Sequence, residues 1–300
     1  MKNLPYKLTD RIYVLGQDLF LTYLIIGKSC ALLDLGVSAS VPLISKQLGE
    51  LGIKPESISD LVVLHAHWDH VCGLPYMREL FPDAIVWGSE KAKTALNKTK
   101  IVELFRKNDE KYCSRLKDLG EFPGLHPFLD YNTMAVDKVI SDGETLHMCG
   151  IDIQFFSTPG HSSCSLSAYI PSERTTIISD ATGSYDPISD EYLAMFYQSY
   201  QMSLDSLKRL RSLEADIVAY CHDTEMIFFG KDNIEKSYRR IEEELLRIKR
   251  EILQLKAEGH PEEELLHMLF LNSYKGFLTR MYPPEYINAV APFLLRAIDN

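Results

Sequence analysis

The sequence predicts an α/β fold in which two β-rich stretches pack sheet on sheet with helices outside, followed by a helical extension. Three observations predict it. Strand-length apolar runs follow one another before Ser40 and again after Val136. Each set gives way to a helical pattern, so strands-then-helix occurs twice, which suits a layered architecture. From about Asp232 the character is helical almost to the end, with breaks at Gly259-His260-Pro261 and Pro283-Pro284.

Taken in order, Arg11 to Leu15, Leu19 to Ile26 and Cys30 to Leu35 read as strands joined by tight turns at Gly16-Gln17 and Gly27-Lys28. Ser40 to Leu51 reads as a helix capped by Ser40, with Val41, Leu43, Ile44, Leu48 and Leu51 as its apolar stripe. Leu61-Val62-Val63-Leu64 is short and β-branched and follows a turn region, which predicts a buried strand. A short helix around Leu74 to Leu80 and a strand at Ala84 to Gly88 come next. Residues 89–120 read as a charged helical insertion, and a stretch with Pro123, Pro127 and Asp130 has little pattern. Further strands are expected at Val136 to Ile140, Thr145 to Met148, Ile151 to Ser157, Ser165 to Ile170 and Thr175 to Ser179. Ser203 to Leu213 then reads as a helix, and Asp216 to Tyr220 as the last core strand. The division expected is a core over residues 1–230 and a helical cap over 231–300.

The 300-residue chain is long enough for a sizeable core, and 46% apolar and 25% charged residues are ordinary for a globular protein. A net charge of −10 makes nucleic acid an unfavoured partner. The Arg239-Arg240 and Arg247 to Arg250 clusters alternate with glutamates, the pattern of an ion-paired helix face. No apolar run is long enough to span a bilayer, since Leu19 to Ile26 is the longest and Thr22 interrupts it. The amino terminus lacks a signal-peptide pattern, and six scattered cysteines point to reduced thiols, so a cytoplasmic location is expected. Cys72, Cys164 and Cys221, each near a candidate ligand, are expected to be small packing residues.

The chemistry is concentrated in His65-Ala66-His67-Trp68-Asp69-His70, directly after the buried strand. Three imidazoles and a carboxylate suit zinc, iron or manganese rather than magnesium or calcium. Four ligands so close exceed one ordinary metal position, so His65 and His67 are assigned to one ion and Asp69 and His70 to a second. Three more candidates each follow a predicted strand: His161 after Ile151 to Ser157, Asp180 after Thr175 to Ser179, and His222 after the last core strand.

These residues resemble the metallo-β-lactamase superfamily, whose His-x-His-x-Asp-His signature stands here as His65, His67, Asp69 and His70. Gly160-His161, Asp180, His222 and the turn Asp34-Leu35-Gly36 match its further motifs over about residues 10–230. The resemblance implies an αββα sandwich with two divalent metals along one edge, zinc first, with iron or manganese also accepted. It implies that His65, His67 and His161 hold one metal, Asp69, His70 and His222 the other, and that Asp180 bridges them. The last histidine departs from the usual glycine-flanked turn, standing as Cys221-His222-Asp223. Two metals would bring the pKa of a shared water towards neutrality and polarise a substrate oxygen, with Asp69 orienting the nucleophile. Asp34 would accept from a ligand imidazole or cap its own turn.

A metal-dependent hydrolase of a small ester, thioester or lactone with an apolar portion is therefore expected. A phosphodiesterase of the same fold and a regulatory protein retaining the metal site are the alternatives. Core plus carboxy-terminal helices resembles, by layout, the quinolone-signal response thioesterase type. The pocket is assigned to Tyr185, Phe196, Tyr197, Tyr274, Phe277 and Tyr282. A homodimer through the carboxy-terminal helices is a possible partner arrangement, because Ile241, Leu245, Ile248, Ile252 and Leu255 stand at helical spacing.

Overall fold

The computed structural model describes residues 3–17, 19–118, 131–186, 191–193 and 195–299, without the side chains of residues 131, 132, 185, 186, 192 and 277. The predicted stretch around Pro123, Pro127 and Asp130 therefore lies outside the described residues.

Seven strands form the first sheet in chain order: β1 (Tyr6–Lys7), β2 (Ile12–Gln17), β3 (Phe20–Ile26), β4 (Cys30–Leu33), β5 (Ile58–Val63), β6 (Ile85–Gly88) and β7 (Lys138–Val139). β1 to β4 are antiparallel, and β4 to β7 are parallel. The second sheet contains β8 (Thr145–Met148), β9 (Ile151–Ser157), β10 (Leu166–Ile170), β11 (Thr175–Ile177), β14 (Ile217–Ala219) and β15 (Ile227–Phe229). Its order is β15-β14-β11-β10-β9-β8, and β12 (Ser184–Asp186) with β13 (Glu191–Leu193) forms a separate ribbon.

Side-chain alternation explains the layering. Val62 and Leu64 join Tyr23, Ile25, Leu33, Phe155 and Ala168 in a core between the sheets. Leu61 and Val63 point the other way, into a core shared with Leu24, Leu32, Ile44 and Leu48 under the helices. The central strands are buried on both faces, which is why they read as continuous apolar runs. The result is a mixed α/β fold of two sheets with helices outside.

Three expectations need correction. Residues 136–140 look in sequence like part of the later strand set, yet β7 pairs with β6, and Asp137 and Ile140 N–H groups donate to Val86 and Gly88 carbonyls. Periodicity identifies a strand without naming its partner. β14 is not the last strand, because β15 adds antiparallel at the edge and is too short to carry a pattern. Ser40 does not cap α1 (Val41–Glu50): it is already helical in backbone, follows a 3₁₀ turn, and makes no capping bond.

The helices include α2 (Trp68–Val71), α3 (Leu74–Leu80), α4 (Glu90–Leu96), α5 (Thr99–Asp118), α6 (Tyr200–Arg211), α7 (Lys231–Ala257), α8 (Glu262–Ser273), α9 (Phe277–Met281) and α10 (Pro284–Ala297). The predicted insertion is thus α4 and α5. Buried Asp109 anchors α5, accepting from the Ser38 N–H at 3.1 Å and from the Ser38 hydroxyl. Burial pushes its carboxyl up to about 6 against the effect of those bonds. On α7, Ile241, Leu245, Ile248 and Ile252 are buried inside the chain. That stripe packs into the protein's own core, one of the two uses its spacing allows. Arg247 pairs with Glu244 and Glu251 on the outer side, as the charge pattern requires.

Candidate metal centre

Four strand ends converge on one edge of the sandwich. β5 runs into Leu64 and delivers His65; His67 then stands in extended backbone at the start of α2, which carries Asp69 and His70 on a single buried turn. β9 leads to His161, β11 to Asp180 and β14 to His222. Backbone conformation fixes two of these turns. Gly160 has φ of +139°, and a Cβ there would lie 2.6 Å from the Ser203 backbone, so only glycine lets α6 approach His161. Ser179 takes φ of +49°, turning the chain so that Asp180 faces inward.

Asp180 is the geometric centre. Its Oδ2 lies 3.2 Å from His222 Nε2, 3.3 Å from His70 Nε2, 3.5 Å from His161 Nε2 and 3.8 Å from His65 Nε2. Around it stand two triads, His65-His67-His161 and Asp69-His70-His222, each with ligand-grade atoms within 4.8 Å of one another. These are the two groupings predicted, and His222 takes its place despite its unusual flanks. Asp34, His65 and His70 form a third such group.

The outward nitrogens of His65, His70, His161 and His222 are engaged. His161 Nδ1 donates to the Met195 carbonyl at 3.0 Å, and His222 Nδ1 to the Leu19 carbonyl at 2.8 Å. A carbonyl only accepts, so in neutral form both rings present a bare Nε2 lone pair to the centre. His70 Nδ1 meets Asp34 at 2.9 Å, and the Ser179 hydroxyl donates to the same carboxylate at 2.8 Å while accepting from His65 Nδ1 at 3.1 Å. Asp34 thus performs the acceptor role expected of it, on a left-handed turn of φ +63°. Sequence reasoning missed Ser179; its only signal is its place beside Asp180. The Met195 and Leu19 carbonyls carry no side-chain signal at all.

The donor set fits metal ions. His65 Nε2, His70 Nε2 and Asp180 Oδ1 are buried and lack hydrogen-bond partners, an arrangement that costs several kcal/mol unless something else binds them. His67 Nδ1 and His161 Nε2 face each other at 2.9 Å, two lone pairs on one point. Charge agrees. Burial, with neighbouring imidazoles, pushes His65 down and His67 to about 3, keeping both neutral. At His70 burial acts downward, but Asp34, Asp69 and Asp180 outweigh it and raise the ring; Asp180 does the same for His222. For Asp180 burial is outweighed by His222 and His70, which hold it ionised. Three buried carboxylates therefore require positive charge at this edge, and the residues can hold it as metal.

A model of the metallo-beta-lactamase superfamily matches residues 21–222, about two thirds of the sequence and every residue of both triads. The chain belongs to this superfamily. The superfamily's members are mostly hydrolases. A hydroxyacylglutathione hydrolase of Klebsiella pneumoniae is 26% identical over 159 residues, 53% of this chain, and the match spans 42% of that relative's length. A metallo-beta-lactamase family protein of Thermus thermophilus superposes at a TM-score of 0.61 with 18% identity, covering 96% of this chain and 94% of that one. A superfamily protein of Sulfolobus tokodaii gives 0.56 at 19% identity, covering 77% and 86%. At such identities the structural likenesses show the fold.

Against the ligand edge lies a cavity of about 290 Å³. His67, Asp69, His161, Asp180 and His222 form its polar floor. Leu104, Phe105 and Asn108 of α5, Tyr197, and Leu278, Tyr282, Tyr286 and Ile287 of the last helices form its walls. The insertion whose role is unreadable in sequence is therefore a wall of the site. Tyr282 donates to Asp69 Oδ2 at 2.8 Å, stacks on Tyr286 at 4.4 Å, and meets Trp68 edge-on. Tyr197 sets its ring against His161 at 5.3 Å. Two other predicted pocket residues are elsewhere. Phe196 is fully buried against Tyr200 in the core. Tyr274 lines a neighbouring cavity. The side chains of Tyr185 and Phe277 lie outside the described residues. Cys164 does more than fill space, since its sulfur accepts the Ala66 N–H inside the histidine loop at 3.3 Å.

Among the described residues, no helix is long and apolar enough to cross a membrane.

Proposed function

We propose that the chain is a metal-dependent hydrolase that cleaves a small ester, thioester or lactone with an apolar portion. One observation carries the reading: two candidate ligand triads around the Asp180 carboxylate open into a cavity whose other walls are mostly apolar and aromatic. His65, His67 and His161 would hold one divalent transition metal, Asp69, His70 and His222 a second, and Asp180 would bridge, with zinc first, then iron or manganese. Bound metals supply Lewis acidity, which makes water a nucleophile near neutral pH and polarises a carbonyl. The protein's own residues do the rest. Asp69, whose Oδ2 lies 3.4 Å from His70 Nε2 and takes the Tyr282 hydrogen bond, orients the attacking oxygen. Tyr197, Tyr282 and Ile287 exclude water around the acyl portion and fix it by shape. The hydroxyacylglutathione hydrolase likeness supports an ester-type bond over a phosphodiester. In this reading residues 231–300 act as a cap on a catalytic core over 1–230.

The test is a panel of thioesters, lactones, β-lactams and phosphodiesters, run beside metal analysis of protein purified without chelator. Two ions per chain and turnover of a thioester or lactone are expected. Asp180→Ala should cost at least about a hundredfold in kcat/KM, the scale of losing a metal-bridging ligand. Fewer than one ion per chain, or turnover unaffected by Asp180→Ala, would sink the proposal.

A further inference from the structure

A second cavity, about 580 Å³, adjoins the first and shares Trp68, Asn108, Tyr282 and Tyr286 with it. Its walls are aromatic, with Tyr112 and Tyr274 among them, but Lys111 and Arg115 also line it. Among the described residues neither cation forms an ion pair, and Glu285 is the only acidic side chain lining the cavity. Both cations are exposed at the rim of an aromatic cavity beside a candidate active site, so they meet a ligand that reaches out of it.

α5 lays the two chambers end to end. Leu104 and Phe105 line the inner one, Asn108 both, and Lys111, Tyr112 and Arg115 the outer one. These positions recur at helical spacing, so they share a face, and eleven residues at 1.5 Å rise extend it over roughly 16 Å. Trp68, Tyr282 and Tyr286 form the partition, joined by the Trp68 Nε1–H bond to the Tyr286 hydroxyl at 3.2 Å.

We infer that the outer chamber is a binding site for a terminal anion of the substrate. The inference rests on the ester or thioester reading and narrows it: the scissile bond sits in the inner chamber, and the longer half crosses the aromatic partition to Lys111 and Arg115. Its apolar stretch lies on the tyrosines, and its end is a carboxylate or phosphate. Hydrolysis forms a bond between the acyl carbon and a water oxygen. It breaks the bond from that carbon to the sulfur or oxygen of the leaving half, which departs with a proton as thiol or alcohol.

Metal-loaded enzyme is assayed on the acetyl thioesters of ω-mercaptooctanoate, ω-mercaptooctyl phosphate and the uncharged ω-mercaptooctanamide. Wild type should prefer the better anion over the amide by roughly tenfold in kcat/KM, the scale of one partly exposed charge contact. K111M/R115M should bring that ratio to about one, and K111R/R115K should retain it. Which anion gains more separates carboxylate from phosphate. Equal rates on anion and amide in wild type, or a preference that survives K111M/R115M, overturn the site. If wild type hydrolyses none of the three, the functional reading fails separately. The site is then judged by binding of octanoate and octyl phosphate, followed by Trp68 fluorescence in a W87F background. Roughly tenfold weaker binding in K111M/R115M supports it, and equal binding overturns it.

Discussion

The two sides of the cavity are built on different principles. The floor comes from strand ends, where four of the candidate ligands, His65, His70, His161 and His222, are each fixed by an outward hydrogen bond to a carbonyl, Asp34 or Ser179. The wall comes from α5, α9 and α10, elements far apart in sequence that reach the site only by packing. The floor is held by directional polar contacts and fixes what chemistry is possible. The wall is held mainly by apolar burial, with Asp109 tying α5 to Ser38, and selects what can reach that chemistry. Tyr282 is where they touch, since its ring belongs to the wall and its hydroxyl to Asp69.

The comparison can be broken from either side. Asp34→Asn attacks the floor alone: Asn cannot balance His70 as a carboxylate does, and one of its amide positions turns a donor toward the Ser179 hydroxyl or the ring. Metal affinity should fall about ten- to a hundredfold, measured by competition with a chelating dye, while the circular dichroism spectrum is kept. Unchanged affinity would mean that the outward hydrogen bonds do not tune the ligands.

Tyr282→Phe cuts the junction while preserving the ring stack. The expected result is full metal content with kcat/KM down by about tenfold, the scale of one hydrogen bond to a charged group. Loss of metal as severe as in Asp34→Asn would make Tyr282 part of the floor.

Asp109→Asn tests the wall. With its carboxyl raised to about 6 from an ordinary 3.8, the folded protein binds this proton more tightly than the unfolded chain. The stability it contributes is full below about pH 4 and is lost as pH rises through about 6. Asn accepts from the Ser38 N–H and carries no charge, so the variant should gain on wild type by up to about 3 kcal/mol between pH 4 and 7. Urea unfolding at the two pH values reads the difference. A wild-type-like pH profile in the variant would remove Asp109 as the source.

The floor was legible because each candidate ligand is a metal-binding residue type just after a strand, and those strands show as short apolar runs. His65, His67, Asp69 and His70 reveal themselves within six positions, and Asp34 within an aspartate-x-glycine turn. The wall was legible only in part. Tyr197 and Tyr282, expected as large aromatics of a pocket, line the cavity, but Phe196, one residue away, faces the core. Leu104, Phe105 and Asn108 carried no signal, since an amphipathic helix looks the same whether its stripe meets a core or a cavity. The stripe on α7 left a core and a dimer face equally open for the same reason.

The sequence by itself determined the two-layer α/β architecture and the strand ends at which the seven candidate ligands stand. Local residue type, turn residues and short apolar runs are short-range properties, and they suffice for that. The tertiary structure alone decided that β7 joins the first sheet, that α5 walls the site, and that carbonyls at Leu19 and Met195 orient two of the imidazoles. Those features depend on which surfaces meet across long sequence separations, and a backbone carbonyl or an apolar stripe does not name its partner.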